Sequence, residues 1–160
     1  MILRIQNNML STKKYGKNTD LALGMWVKLA RAYETFNRRS VENIRTFGLT
    51  EPQFGVLECL GHLGPLTTGE LCRKMLVSGG NMTVVIDNLE KEALVERIRS
   101  AEDRRTIRIQ LSKKGKKLFD DIFVRHAAHI TKLAGALSKT ERQDLSRLLK
   151  KLGLALQENR

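Results

Sequence analysis

Two cysteines, two prolines and only 5% aromatic residues exclude several kinds of protein at once. Cys59 and Cys72 stand 13 positions apart with no CxxC pair. They read as reduced, buried side chains on helices that pack a core, with redox sensing as the alternative. No apolar run reaches the roughly 18 residues of a membrane span. The N-terminal MILRIQNNMLSTKKYG lacks a sustained apolar core and an A-x-A site, so no secretory signal is expected and the cytosol follows by default. His62, His126 and His129 make no metal motif. There is no G-x-S-x-G, no phosphate loop and no HExxH. Asp120-Asp121 reads as a solvated helix face rather than an acid–base pair. An enzyme, a cofactor and a membrane partner are therefore not expected.

What is abundant is positive charge. Lysine and arginine total 29 against 17 acidic residues, a formal net charge of +12 on 160 residues. Such an excess favours a polyanionic partner, nucleic acid first. It is also concentrated. Between Lys91 and Lys117 there are ten basic and four acidic residues, which account for half of the net charge. The 41% hydrophobic content supplies a core, and 12 glycines with two prolines are too few for a low-complexity linker. No internal repeat is present.

The most specific stretch is Leu76 to Leu111, LVSGGNMTVVIDNLEKEALVERIRSAEDRRTIRIQL. Ser78 is placed to cap a helix. Gly79 and Gly80 allow close backbone approach, and Ser78, Asn81 and Thr83 offer hydrogen bonds to bases or phosphates. Met82, Val85, Ile86 and Leu89 form the apolar stripe of that helix. Two strand-like runs follow, Leu94 to Arg99 and Thr106 to Leu111. In the second, Ile107, Ile109 and Leu111 are expected inward and Thr106, Arg108 and Gln110 outward. Between them, Ser100 to Arg105 is the tip of a hairpin. Arg104 and Arg105 there suit a minor groove, and Asp103 would fix the loop. Helix, strand, tip, strand is the order of a recognition helix and a β-wing. The plainer readings are an ordinary interhelical turn and a solvated charged hairpin; together the two pieces favour DNA.

The remainder reads as a frame. Thr19 or Asp20 opens a helix to about Phe47, closed by Gly48; about 27 residues make it ~40 Å long, suited to a scaffold or a dimer arm. Thr50-Glu51-Pro52-Gln53 is a capping box opening a second helix, expected to break around Gly61 and Gly64-Pro65. Thr67-Thr68-Gly69-Glu70 is another, opening a short third helix, and Thr67 and Thr68 are counted with the DNA-facing residues. Ser112 opens a long helix whose apolar face includes Leu118, Phe119, Ile122 and Phe123. Ser138-Lys139-Thr140-Glu141 is a third capping box, ahead of Leu145, Leu148, Leu149, Leu152 and Leu156. Residues 1–18 read as irregular or loosely helical.

The run from Leu49 to Leu118 resembles the winged-helix core of the MarR family of bacterial repressors. The similar segments are LTEPQFGVLECL, TTGELCRKM and SGGNMTVVIDNLEKEALVERIRSAEDRRTIRIQLSKKGKKLF, with the tail LSKTERQDLSRLL. The resemblance implies a mainly α fold with a small β-wing, a winged helix-turn-helix lobe set in a helical dimerisation frame. It implies that residues 1–48 serve dimerisation, 49–112 bind DNA and 113–160 complete the dimer. It implies a major-groove helix, a minor-groove Arg105 and an Asp103 that orients the wing. It also implies a homodimer on double-stranded DNA with a pseudo-palindromic operator, and a repressor relieved by a small phenolic or hydrophobic ligand. Trp26, Tyr33, Phe36 and His62 are the candidate ligand lining, with plain packing as the alternative. Two departures stand out. Ala93 occupies a position where the family commonly has glycine. The segment Asp20 to Trp26 lacks the cysteine of the peroxide-sensing branch, which disfavours that mode. From another class, an architectural DNA-binding protein with little sequence preference and no effector would share the charge and the wing.

Overall fold

The structure is a computed structural model and describes residues 15–75, 79–99 and 105–158. The elements run α1 (Lys17–Arg45), α2 (Glu51–Leu63), α3 (Thr68–Met75), α4 (Gly79–Lys91), β1 (Val95–Arg99), β2 (Ile107–Leu111), α5 (Lys113–Leu133), a single 3-10 turn and α6 (Lys139–Glu158). The chain divides into two compact units, Met1–Arg38 and Arg39–Arg160. The boundary falls inside α1, so the end of that helix belongs to the larger unit.

Local chemistry sets the helix ends. At α2 the Thr50 side chain accepts from the Gln53 N–H while Gln53 Oε1 accepts from the Thr50 N–H at 2.9 Å. The same reciprocal box forms between Thr67 and Glu70 and between Ser138 and Glu141. Each satisfies two N–H groups that a helix start leaves without partners. Ser112 caps α5 by accepting from the Gly115 N–H at 3.0 Å. Gly48 and Gly64 close α1 and α2 with φ of +76° and +78°. α1 begins at Lys17, ahead of the expected Thr19 or Asp20, and the Asp20 N–H bonds to the Gly16 carbonyl.

The core of the larger unit is one cluster. Val56, Leu57 and Leu60 of α2, Leu71 of α3, Met82, Ile86 and Leu89 of α4, Val95 of β1, Ile109 of β2 and Ile122 of α5 are all buried in it. Ile44, from the end of α1, joins them. The apolar stripe read on α4 thus faces inward, with Val85 partly buried.

β1 and β2 form an antiparallel pair in which Val95 faces Leu111 and Arg99 faces Ile107. The Leu66 N–H donates to the Ile109 carbonyl at 3.0 Å and the Ile109 N–H returns to Leu66 at 2.7 Å. Ile109 is therefore flanked on both sides and fully buried. Ile107 corrects the expected alternation: it is 55% exposed, because it lies two residues nearer the tip, past the bridge with Leu66.

Gly61 also departs from expectation. It does not break α2, which continues to Leu63; a Cβ there would overlap the Phe119 ring. Gly115 is tighter still, since a Cβ would overlap the Leu94 carbonyl. That contact is part of a tie between the end of α4 and the start of α5. The Ser112 hydroxyl donates to the Ala93 carbonyl at 2.6 Å, the Ser112 N–H to Leu94 O at 3.1 Å, and Lys114 Nζ to Glu92 O at 2.7 Å. Ala93 itself has φ +56°. The Leu94 N–H reaches Leu89 O and the Ala93 N–H reaches Glu90 O, both at 2.9 Å. This is a Schellman closure with alanine in the left-handed position, which costs about 1 kcal/mol against glycine.

Candidate nucleic-acid interface

With Met82, Ile86 and Leu89 turned into the core, the opposite face of α4 is open. Gly79, Gly80, Asn81, Thr83, Val84 and Asn88 are exposed on it. Among the described residues, nothing beyond the chain neighbours and the helix's own nearby backbone lies within 4 Å of where a Cβ would stand on Gly79 or Gly80, which leaves that surface open to a duplex. Helix N-terminal N–H groups and dipole favour phosphate at that end. Thr67 and Thr68 are half-buried at the start of α3. The Thr67 hydroxyl is engaged in its capping box, donating to Glu70 Oε2 at 2.9 Å. Its backbone N–H, and then its hydroxyl, hold the Glu70 carboxyl below the usual carboxylate range.

The wing is fixed to α4 by Arg97, a residue outside the sequence-derived set. Its guanidinium reaches Asp87 Oδ1 at 2.5 Å and also pairs with Glu90. The Asp87 hydrogen bond is the main reason its pKa is raised further. All three side chains are partly exposed, so each pair contributes only about 0.2–1 kcal/mol. The larger consequence is geometric: one fork joins strand β1 to two successive turns of α4. On β2, Arg108 donates to the Pro65 carbonyl at 3.2 Å and Gln110 donates to Glu96 Oε1 at 2.6 Å. Arg105 is exposed at the turn entering β2. Ser78, Asp103 and Arg104 lie outside the described residues.

A sequence model of the MarR family matches residues 49–107, from just before α2 to the first residue of β2. The chain is also 36% identical over 136 residues to the HTH-type transcriptional regulator MhqR of Bacillus subtilis, across 85% of this chain and 94% of that protein. The chain belongs to the MarR family. Two solved structures share the fold. AbsC, a MarR family transcriptional regulator from Streptomyces coelicolor, matches with a TM-score of 0.79 at 18% identity, over 91% of this chain and 99% of AbsC. The Mycobacterium tuberculosis MarR family protein RV2887, solved in complex with p-aminosalicylic acid, matches with a TM-score of 0.64 at 24% identity, over 79% and 96%. This MarR-family chain is thus a DNA-binding transcriptional regulator rather than an enzyme, and the winged helix-turn-helix architecture read from its sequence is the one it has.

The candidate ligand lining of the regulator is distributed over both units. Trp26, Tyr33 and Phe36, on the Met1–Arg38 unit, are 61%, 64% and 38% exposed. His62 is in the other unit, edge-on to Phe119 and Phe123 with centroids 5.2 and 4.4 Å away. His126 is the buried polar group that sequence reasoning did not single out for a role. It is 7% exposed, tilted against Phe54 at 4.6 Å, with Nδ1 donating to Asn43 Oδ1 at 2.9 Å. Burial, then the neighbouring His129, lowers its pKa. His129 bonds the Arg39 carbonyl at 3.2 Å, so two histidines of α5 secure the last turns of α1. Cys59 and Cys72 are free and half-buried on α2 and α3. Burial pushes the Cys59 thiol up, away from the thiolate that oxidants attack. Among the described residues no helix is long and apolar enough to cross a membrane.

Proposed function

We propose that this MarR-family regulator is a homodimeric repressor of a pseudo-palindromic operator, released by a small aromatic ligand. The observation that carries the dimer is the set of large apolar side chains exposed on α1 and α6. Leu21 and Met25 on α1 are more than half exposed, and Leu145, Leu148, Leu149 and Leu156 on α6 are 42–63% exposed. Faces of that size belong at interfaces. In this division residues 1–48 and 113–160 make the dimer frame and 49–112 the DNA-binding lobe. Two-fold symmetry then puts the two α4 helices on half-sites about one helical turn apart, ~10 bp between centres. Ser78, Gly79, Gly80, Asn81 and Thr83 face the major groove. Arg104 and Arg105 reach the minor groove, with Asp103 holding the loop. A dimer seated on a promoter excludes other proteins from it, which is repression.

Support for the ligand comes from the exposed rings of Trp26, Tyr33 and Phe36, which suit a flat aromatic molecule, and from the p-aminosalicylic acid bound by RV2887. A ligand releases DNA only if it favours a spacing of the lobes that DNA does not, and by linkage operator DNA weakens ligand binding by the same factor. Competition binding tests the whole reading. A regulator prefers its selected site ~10³-fold or more over random duplex, whereas an architectural protein shows no such ratio. Salicylate titrated with and without the selected duplex, read by Trp26 fluorescence, tests the ligand. Equal affinity in both states removes salicylate as inducer.

A further inference from the structure

The middle of the exposed face of α4 is apolar. At 3.6 residues per turn Val84 lies about 160° around the helix from Met82, nearly opposite the buried stripe. It is 56% exposed. Asn81 precedes it by three residues and Asn88 follows it by four, so the three side chains form one strip. Asp87, three residues after Val84, is drawn to Arg97 at 2.5 Å, and Glu90 is paired with the same guanidinium. The wing thereby takes up the two carboxylates of α4 that would otherwise repel phosphate. A β-branched residue at an exposed mid-helix position is unfavourable both for helix propensity and for solvation. Local rules broken without a packing gain point to function.

We infer that Val84 is a specificity-determining residue that packs against the C5-methyl of a thymine in each half-site. The major groove presents one apolar group, the thymine methyl, and small apolar side chains recognise it. Asn81 and Asn88 flank Val84 with groups that suit adenine or phosphate. The expected half-site therefore carries a thymine at the centre of the α4 footprint. The inference rests on the reading of α4 as the major-groove helix.

The test uses the full-length protein and duplexes that it enriches from a random-sequence pool. In the enriched duplex, each thymine is replaced in turn by deoxyuridine, which removes only the methyl. For the wild type, one thymine per half-site weakens binding about fourfold when replaced, the effect of exposing one methyl-sized group. Val84→Ala, which raises helix propensity and so preserves folding, binds the thymine duplex less tightly and is indifferent to that same replacement. Val84→Thr, of the same shape with one methyl kept and one exchanged for hydroxyl, binds the thymine duplex less tightly and loses less than the wild type on that replacement. Wild-type affinity of Val84→Ala, or an equal loss on thymine and deoxyuridine duplexes, overturns the role of Val84 while leaving the regulator reading intact. Enrichment of no sequence at all overturns that reading, and this inference with it.

Discussion

Helices α2 and α6 carry the same kind of apolar pattern, at spacings of three and four, and meet opposite fates. Leu57 and Leu60 of α2 are 0% and 3% exposed, inside the core of their own chain. Leu145, Leu148 and Leu149 of α6 are 45%, 52% and 42% exposed. Periodicity therefore reports that a helix has an apolar face but not whose atoms cover it. In α2 the cover is α3, α4, β2 and α5 of the same molecule. In α6 we assign it to a second copy.

Substitutions can separate the two kinds of face. The largest effect on folding is expected in the core. Leu57→Ala should destabilise by about 2–5 kcal/mol from lost burial and the cavity left behind. At about 2–4 °C per kcal/mol for a chain of this size, that lowers Tm by roughly 4–20 °C. Gly115→Ala should fall in the same range, because its Cβ meets backbone rather than a movable side chain. Leu148→Asp on α6 should instead act through association: subunit exchange or dissociation accelerates, while the isolated chain keeps the circular dichroism of a folded helical protein. A Leu148→Asp chain as tightly associated as the wild type would break the contrast.

Next come changes read out in DNA binding. Arg105→Ala should reduce operator affinity at least tenfold, through a lost minor-groove contact, with Tm nearly unchanged. Arg97→Ala should weaken binding too, by releasing the wing from Asp87 and Glu90, and here hydrogen exchange of β1 should rise in the free protein. A released wing with full operator affinity would show that the Arg97 fork does not position it.

Smaller effects concern the joint between elements. Ala93→Gly should stabilise by about 1 kcal/mol, since glycine adopts φ +56° without penalty; a lowered Tm would contradict the Schellman closure. His126 has a depressed pKa in the fold, so the folded state favours its neutral form. Its contribution to stability is fully present above the unfolded-state pKa, about 6.5, and is lost as pH falls through the lower folded value. Between pH 7 and pH 5 the wild type should lose more Tm than His126→Gln. An equal loss would place the acid sensitivity elsewhere.

Local grammar was readable from the residues. The capping boxes at Thr50, Thr67 and Ser138, the closures at Gly48 and Gly64, the inward stripe of α4 and the hairpin all depend on neighbours within a few positions. What was missed depends on partners far along the chain. Gly61 reads as a helix breaker until Phe119 is brought against it, and nothing near Gly115 in sequence announces the Leu94 carbonyl. The Arg97 fork joins a strand residue to two helix residues across the α4–β1 turn, so neither the helix period nor the strand period alone brings them together. His126 reads as an ordinary helix histidine until Phe54 and Asn43 surround it. Ile107 obeys the strand alternation in sequence, yet it lies beyond the part of the hairpin that the core covers.

The covering of α1 and α6 by a second copy is tested most directly by sedimentation of the full-length protein at micromolar concentration. The expected result is a single species of twice the chain mass of 18.2 kDa, with no monomer on dilution through that range. A stable, folded species at the mass of one chain would contradict it, and the exposed leucines of α6 would then need another partner.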